Sequence, residues 1–222
     1  MARRRPRLRL WLVAAGGLLV LVAAGWLLVR VWPRSGPPLP LAVTPRSHSP
    51  GGGRGANANP NEQAFIAEVN RSNQLLAQGK TEQAIQVLRE AVKLKPDDED
   101  AHYNLGSALA RVGQLDEAAK ELAEALRLFP DYVDAHNNLG TALQRVGRTN
   151  EALAQFQQAA QLNPDYWEAQ FNVASSLFQQ RRLPEARTAF ETVLRLRPDF
   201  LPAQKALERI ESALAPAPPL KP

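Results

Sequence analysis

Asn70, Asn104, Asn138 and Asn172 follow one another at intervals of 34 residues. An asparagine amide carries a donor pair and an acceptor on one short stem. A column of them matches the C=O and N–H groups of an extended peptide without reading its side chains. Three more columns keep the period. Asp100, Asp134 and Glu168 are acidic, Ser107 and Thr141 carry hydroxyls, and Arg111 and Arg145 are cationic. The chemistry such residues offer is recognition of a backbone between an acidic and a basic row. The acidic row favours a basic or neutral ligand, and the arginines one turn away offset it. Tyr103 and Phe171 border the set and suit an apolar side chain of the same ligand.

Nothing in the chain is arranged for catalysis. It has no Cys, which removes a thiol nucleophile, a disulfide frame and a Cys-ligated metal. It has no nucleophile–base pair, no phosphate-cradling glycine loop between strand and helix and no zinc-protease helix motif. An enzyme is not expected, nor a cofactor, a metal or a small-molecule substrate. His102 and His136 occupy equivalent places in neighbouring repeats. Packed helices lie about 8–10 Å apart, whereas a metal needs its ligand nitrogens about 2 Å away, so these histidines read as packing residues. The acidic run from Pro96 to Asp100 lacks the glycine and the distant glutamate of a calcium loop. It reads as an N-cap with first-turn acids.

The elements that position the columns follow from the period. Pro96, Pro130, Pro164 and Pro198 share the 34-residue spacing, as do Ala84, Ala118, Ala152 and Ala186. Self-similarity at this length signals stacked helical hairpins, because one hairpin cannot bury its own apolar side. With the proline as position 32, the units are 65–98, 99–132, 133–166 and 167–200. Gly79, Gly113, Gly147 and the pair Arg181-Arg182 end helix A of each unit, and the proline stops helix B. Residues 201–213 form a further helix. Its Glu208 and Glu211 stand where earlier units are small or apolar, which suits a solvent-facing cap. At 100° per residue, positions 4, 7, 8 and 11 of helix A form the packing side. Positions 2, 6, 9 and 13 fall opposite, within about 60° of one another. The asparagines are therefore expected open on that second side.

On these residues the chain resembles the tetratricopeptide repeat family. Leu105-Gly106 and Leu139-Gly140 match the Leu-Gly pair, Phe156 the aromatic of helix B, and Ala125 and Ala159 its second alanine. Unit four relaxes to Val173-Ala174 and unit one to Arg71-Ser72, and His102 and His136 replace the family's large first residue. The resemblance implies an all-α solenoid whose helix A side lines a concave groove for extended peptides or partner helices. It also implies that Ser72, Gly106, Gly140 and Ala174 sit where helices A and B cross. The asparagine column is similar to the ladder in the repeats of O-linked N-acetylglucosamine transferases, which grips peptide backbone. The family's carboxylate clamp fits poorly, since Asp134 and Asn138 stand where it wants lysine and arginine.

Charge divides the chain. Residues 1–60 hold nine Arg and no acid, whereas 61–214 hold 17 Lys and Arg against 22 Asp and Glu. The formal net charge of +5 thus comes from the N-terminal segment and does not point to nucleic acid binding by the repeats. Behind a basic tail at 1–9, twenty uncharged residues run from Leu10 to Val29, long enough as a helix to cross about 30 Å of hydrocarbon. Trp11, Trp26 and Trp32 lie near its ends, as interfacial rings do. The segment 10–32 is expected to be a transmembrane signal anchor. Five arginines before it favour a cytoplasmic N-terminus with the repeats on the periplasmic side of a bacterial inner membrane. A signal peptide cut at Ala23-Ala24-Gly25 is the alternative, against which stand the length of the run and the apolar start it would leave. Residues 33–60 read as a Pro/Gly linker, 61–214 as the repeat domain and 215–222 as a disordered tail.

The expectation is thus an all-α, single-pass membrane protein whose array docks a protein or peptide partner, in the manner of anchored arrays in envelope assembly. The other reading is a structural or self-associating subunit that uses its convex face and holds no peptide.

Overall fold

The computed structural model describes residues 59–215. The segment expected to cross a membrane lies outside them, as do most of the linker and the tail. Among the described residues no helix is long and apolar enough to span a bilayer.

The described residues form four helical pairs and one last helix. The A helices are α1 (Pro60–Ala77), α3 (Glu99–Arg111), α5 (Val133–Arg145) and α7 (Trp167–Gln179). The B helices are α2 (Thr81–Leu94), α4 (Leu115–Leu128), α6 (Thr149–Leu162) and α8 (Leu183–Leu196). Helix α9 (Leu201–Leu214) closes the stack. Each helix packs chiefly on its neighbours in sequence, and α3 also meets α5.

Turn chemistry sets this order. Helices α1, α3 and α5 end at Gly79, Gly113 and Gly147, with φ of +73°, +85° and +87°. The next amide reaches back over the turn, as from Gln114 to the Leu109 carbonyl at 3.0 Å. This left-handed cap leads each A helix straight into its B helix. Unit four makes the same turn with Arg181 at φ +61°. The B helices end on Lys95, Phe129, Asn163 and Arg197, whose φ values run from −133° to −142°. Each precedes a proline, whose ring disfavours helical backbone in the residue before it.

The proline carbonyls left at these corners are met by a recurring partner. His102 Nε2 lies 3.0 Å from the Pro96 oxygen and His136 Nε2 lies 2.8 Å from that of Pro130. Gln170 and Gln204 donate to the Pro164 and Pro198 oxygens at 3.2 and 2.8 Å. The two histidines also touch Glu121 and Gln155, each through Nδ1 at 2.7 Å. They are corner braces, each tying the start of its repeat to the proline of the one before.

The core is a repeated triplet on the B helices. Ala84-Leu88-Ala91, Ala118-Leu122-Ala125, Ala152-Phe156-Ala159 and Ala186-Phe190-Val193 are all fully buried. Against them lie the small residues of helix A. A Cβ added at Gly106 would meet Leu122 Cγ at 2.7 Å, with the Ala118 oxygen and Leu122 nitrogen at 3.1 Å. One added at Gly140 would meet the Phe156 ring at 2.6 Å. Helices A and B therefore cross nearly backbone to backbone in units two and three.

Candidate functional site

The interior A helices have no open polar side along their middle turns. Every residue of α3 from Ala101 to Ala110 is buried, as is the run Asn137–Leu143 of α5. The open asparagine stripe expected from helix angles is therefore not what the structure shows. Asn104, Asn138 and Asn172 are 2%, 0% and 4% exposed, and Asn70 alone of the four is exposed. The reason is spacing. An interior A helix touches its own B helix, the preceding B helix and the A helices beside it, so neighbouring units shut over both of its sides.

The buried amides join one repeat to the next. Asn138 Nδ2 donates to Ser107 Oγ at 3.0 Å and to the Tyr103 hydroxyl at 3.2 Å, both on the preceding A helix. Asn172 Nδ2 donates to Asn137 Oδ1 at 2.8 Å. Side chains this short bond only between helices in close contact, whereas α2 and α4 are joined by the long Arg89–Glu117 pair. Thr141 turns its hydroxyl to its own helix, donating to the Asn137 oxygen at 3.0 Å. Tyr103 is 5% exposed and stacks on Tyr132 with centroids 4.7 Å apart, and Phe171 packs edge-on against Phe190 and Phe200. Tyr103 is therefore not the open border expected of it, whereas Phe171 stays half-buried.

The acidic row is also partly engaged. The Tyr132 hydroxyl donates to Asp100 Oδ1 at 2.7 Å, and one unit on Tyr166 bonds Asp134 in the same way. Burial, reinforced by these carboxylates, holds both phenols well above their ordinary pKa, so they remain donors. Burial does the same to Tyr103, with the charge of Asp134 adding to it. Tyr132 and Tyr166 were legible only as a 34-residue pair at the end of each unit. Their role as acid holders carries no local motif.

Two kinds of group remain for a partner. Arg111 and Arg145 are exposed at the C-terminal ends of α3 and α5, and Arg145 Nη1 also donates to the Ala110 carbonyl at 2.7 Å. Glu168 is half-buried at the start of α7, where burial raises its carboxyl above the usual range. Four buried polar atoms on the A helices have no hydrogen-bond partner in the protein: the side-chain oxygens of Asn73, Asn104 and Asn138, and the Ser175 hydroxyl. All four belong to positions 6 and 9 of the A helices. Among the described residues no group of three or more His, Asp or Glu could hold a metal ion.

Comparison with known proteins gives a consistent fold. A profile described as TPR repeat matches residues 73–113, and two described as tetratricopeptide repeat match 97–165 and 137–199. MamA 41-end from Desulfovibrio magneticus RS-1 is similar at 21% identity and TM-score 0.64, over 68% of this chain and 85% of that one. YrrB, described as a TPR protein with an unusual peptide-binding site, is similar at 24% identity and TM-score 0.61, over 71% and 84%. Another MamA crystal structure gives 19% and 0.65, over 68% and 82%. No curated protein matches the sequence.

Proposed function

We propose, from the premise that this chain is a tetratricopeptide repeat protein and hence a protein–protein interaction scaffold, that it docks an extended peptide or partner helix along its A helices. The four unpartnered polar atoms at positions 6 and 9 carry this reading. A buried oxygen without a donor costs about 1–3 kcal/mol, and an apolar group of the same shape would avoid that cost. A ligand offering N–H groups repays it once the amides of Asn104 and Asn138 turn outward. Exposed Asn70, Arg111 and Arg145 make the first contacts, and Asp100, Asp134 and Glu168 form the opposite edge. The peptide-binding site ascribed to the similar protein YrrB supports the same use of the fold.

Within this reading the segment 10–32 tethers the array to a membrane and the linker 33–60 gives it reach. The support is the uncharged run from Leu10 to Val29 and the arginines ahead of it. A periplasmic location and a role in envelope assembly belong to the same proposal.

The test is photocrosslinking in the native membrane from residue 111 on the A side and from Lys120, exposed on α4. The docking reading expects one partner captured from 111 and not from 120. Capture from 120 alone would move the interface to the B helices.

A further inference from the structure

We infer that the start of unit four, where Trp167, Glu168, Phe171 and Phe200 meet, is a subsite for a cationic side chain, an arginine or lysine of the docked partner. The inference rests on the docking reading and names what one part of that surface selects.

The repeat pattern breaks at this point. In units two and three the position-2 acid is held by a tyrosine hydroxyl from position 34, as Asp100 is by Tyr132 and Asp134 by Tyr166. Position 34 of unit four is Phe200, which has no hydroxyl to give. Glu168 makes no hydrogen bond or ion pair with another side chain among the described residues, and its carboxylate accepts a hydrogen bond from its own backbone amide. The charges that act on it are Arg197, which favours the carboxylate, and Asp134, which opposes it.

Rings flank Glu168 along α7, with Trp167 just before it and Phe171 three residues on. Phe200 meets Trp167 at 4.9 Å and 64°, and Phe171 at 5.1 Å and 88°, both edge-on. Unlike Tyr103 and Tyr132, these three rings are only half-buried. Trp167 already accepts a guanidinium, for the Arg197 Cζ lies 4.8 Å from its ring centroid. Arg197 also lies 3.9 Å from Asp199, and its charge reaches Glu168 without a salt bridge between the two. A partly desolvated carboxylate near an aromatic cluster attracts a cation through its charge, and the rings Arg197 leaves uncovered add their quadrupoles to it. A neutral or acidic side chain gains neither.

Panning a random dodecamer peptide library against the full-length chain tests this. The enriched peptides should share an arginine or lysine. They should bind Glu168→Gln about tenfold more weakly, as loss of a charge-assisted contact implies. Phe200→Tyr, which offers Glu168 the missing hydroxyl, should also weaken them. Replacing the peptide's arginine by citrulline should cost the same factor in wild type and almost nothing in Glu168→Gln. Circular dichroism of each variant separates a lost contact from a lost fold. Enriched peptides with no basic residue, or a citrulline penalty unchanged in Glu168→Gln, would overturn the subsite and leave docking intact. Enrichment of no peptide at all would overturn both.

Discussion

Gly106→Ala sets two well-calibrated effects against each other. Alanine is favoured over glycine inside a helix by about 1 kcal/mol, so an open site would be stabilised by that amount. Here the new methyl group meets Leu122 Cγ at 2.7 Å and two backbone atoms of α4 at 3.1 Å. Leu122 can turn only into a core where it is already fully buried, and the backbone atoms cannot turn at all. Helices α3 and α4 must part by a few tenths of an ångström. Overpacking of this kind costs about 1–3 kcal/mol, so the net change should run from about zero to 2 kcal/mol of destabilisation. A double-mutant cycle with Leu122→Ala isolates the steric part. Leu122→Ala alone should cost about 2–5 kcal/mol. In that background Gly106→Ala should be less harmful by about 1–2 kcal/mol. The assay is denaturant unfolding of the full chain followed by far-ultraviolet circular dichroism. If Gly106→Ala gained the full helix preference and showed no coupling to Leu122, the close crossing of α3 and α4 would be refuted.

Three further outcomes follow from the geometry. Arg181→Gly should stabilise the chain by about 1 kcal/mol in the same assay, because it relieves a left-handed residue in a turn the other units make with glycine. Asn138→Ala should cost about 1–3 kcal/mol, since it removes the bonds to Ser107 and Tyr103 from a fully buried position. Glu168→Gln should stabilise the fold at neutral pH. The folded-state pKa of Glu168 is raised, so its contribution is present below the unfolded carboxylate pKa and is lost as pH rises through the folded one. A pH series of unfolding midpoints should therefore fall over that window in wild type and flatten in the variant.

The repeat was legible because its punctuation is chemical. A proline stops each B helix, a glycine at positive φ turns three of the A helices, and small residues mark the crossings. Helix angles alone did not reveal which polar residues see solvent. They give an A helix one packing side, whereas Asn104 and Asn138 sit between repeats. A side chain that bonds across that gap has the composition of a ligand contact and the burial of a core residue. The positions of His102 and His136 were readable as packing, but their bonds to Pro96 and Pro130 were not, since a backbone acceptor leaves no mark in sequence. The unpaired acid of unit four was readable in principle. The series Tyr132, Tyr166, Phe200 loses a hydroxyl beside the row Asp100, Asp134, Glu168, but only the Tyr132–Asp100 bond tells which groups that hydroxyl serves.

The most direct test of docking is a crystal structure of the full chain bound to a library-selected dodecamer. Docking along the A helices predicts the peptide laid across α3, α5 and α7, with its N–H groups on the amide oxygens of Asn104 and Asn138 and its basic residue at Glu168. A peptide seated on α4, α6 and α8, with those amides unmoved, would contradict it.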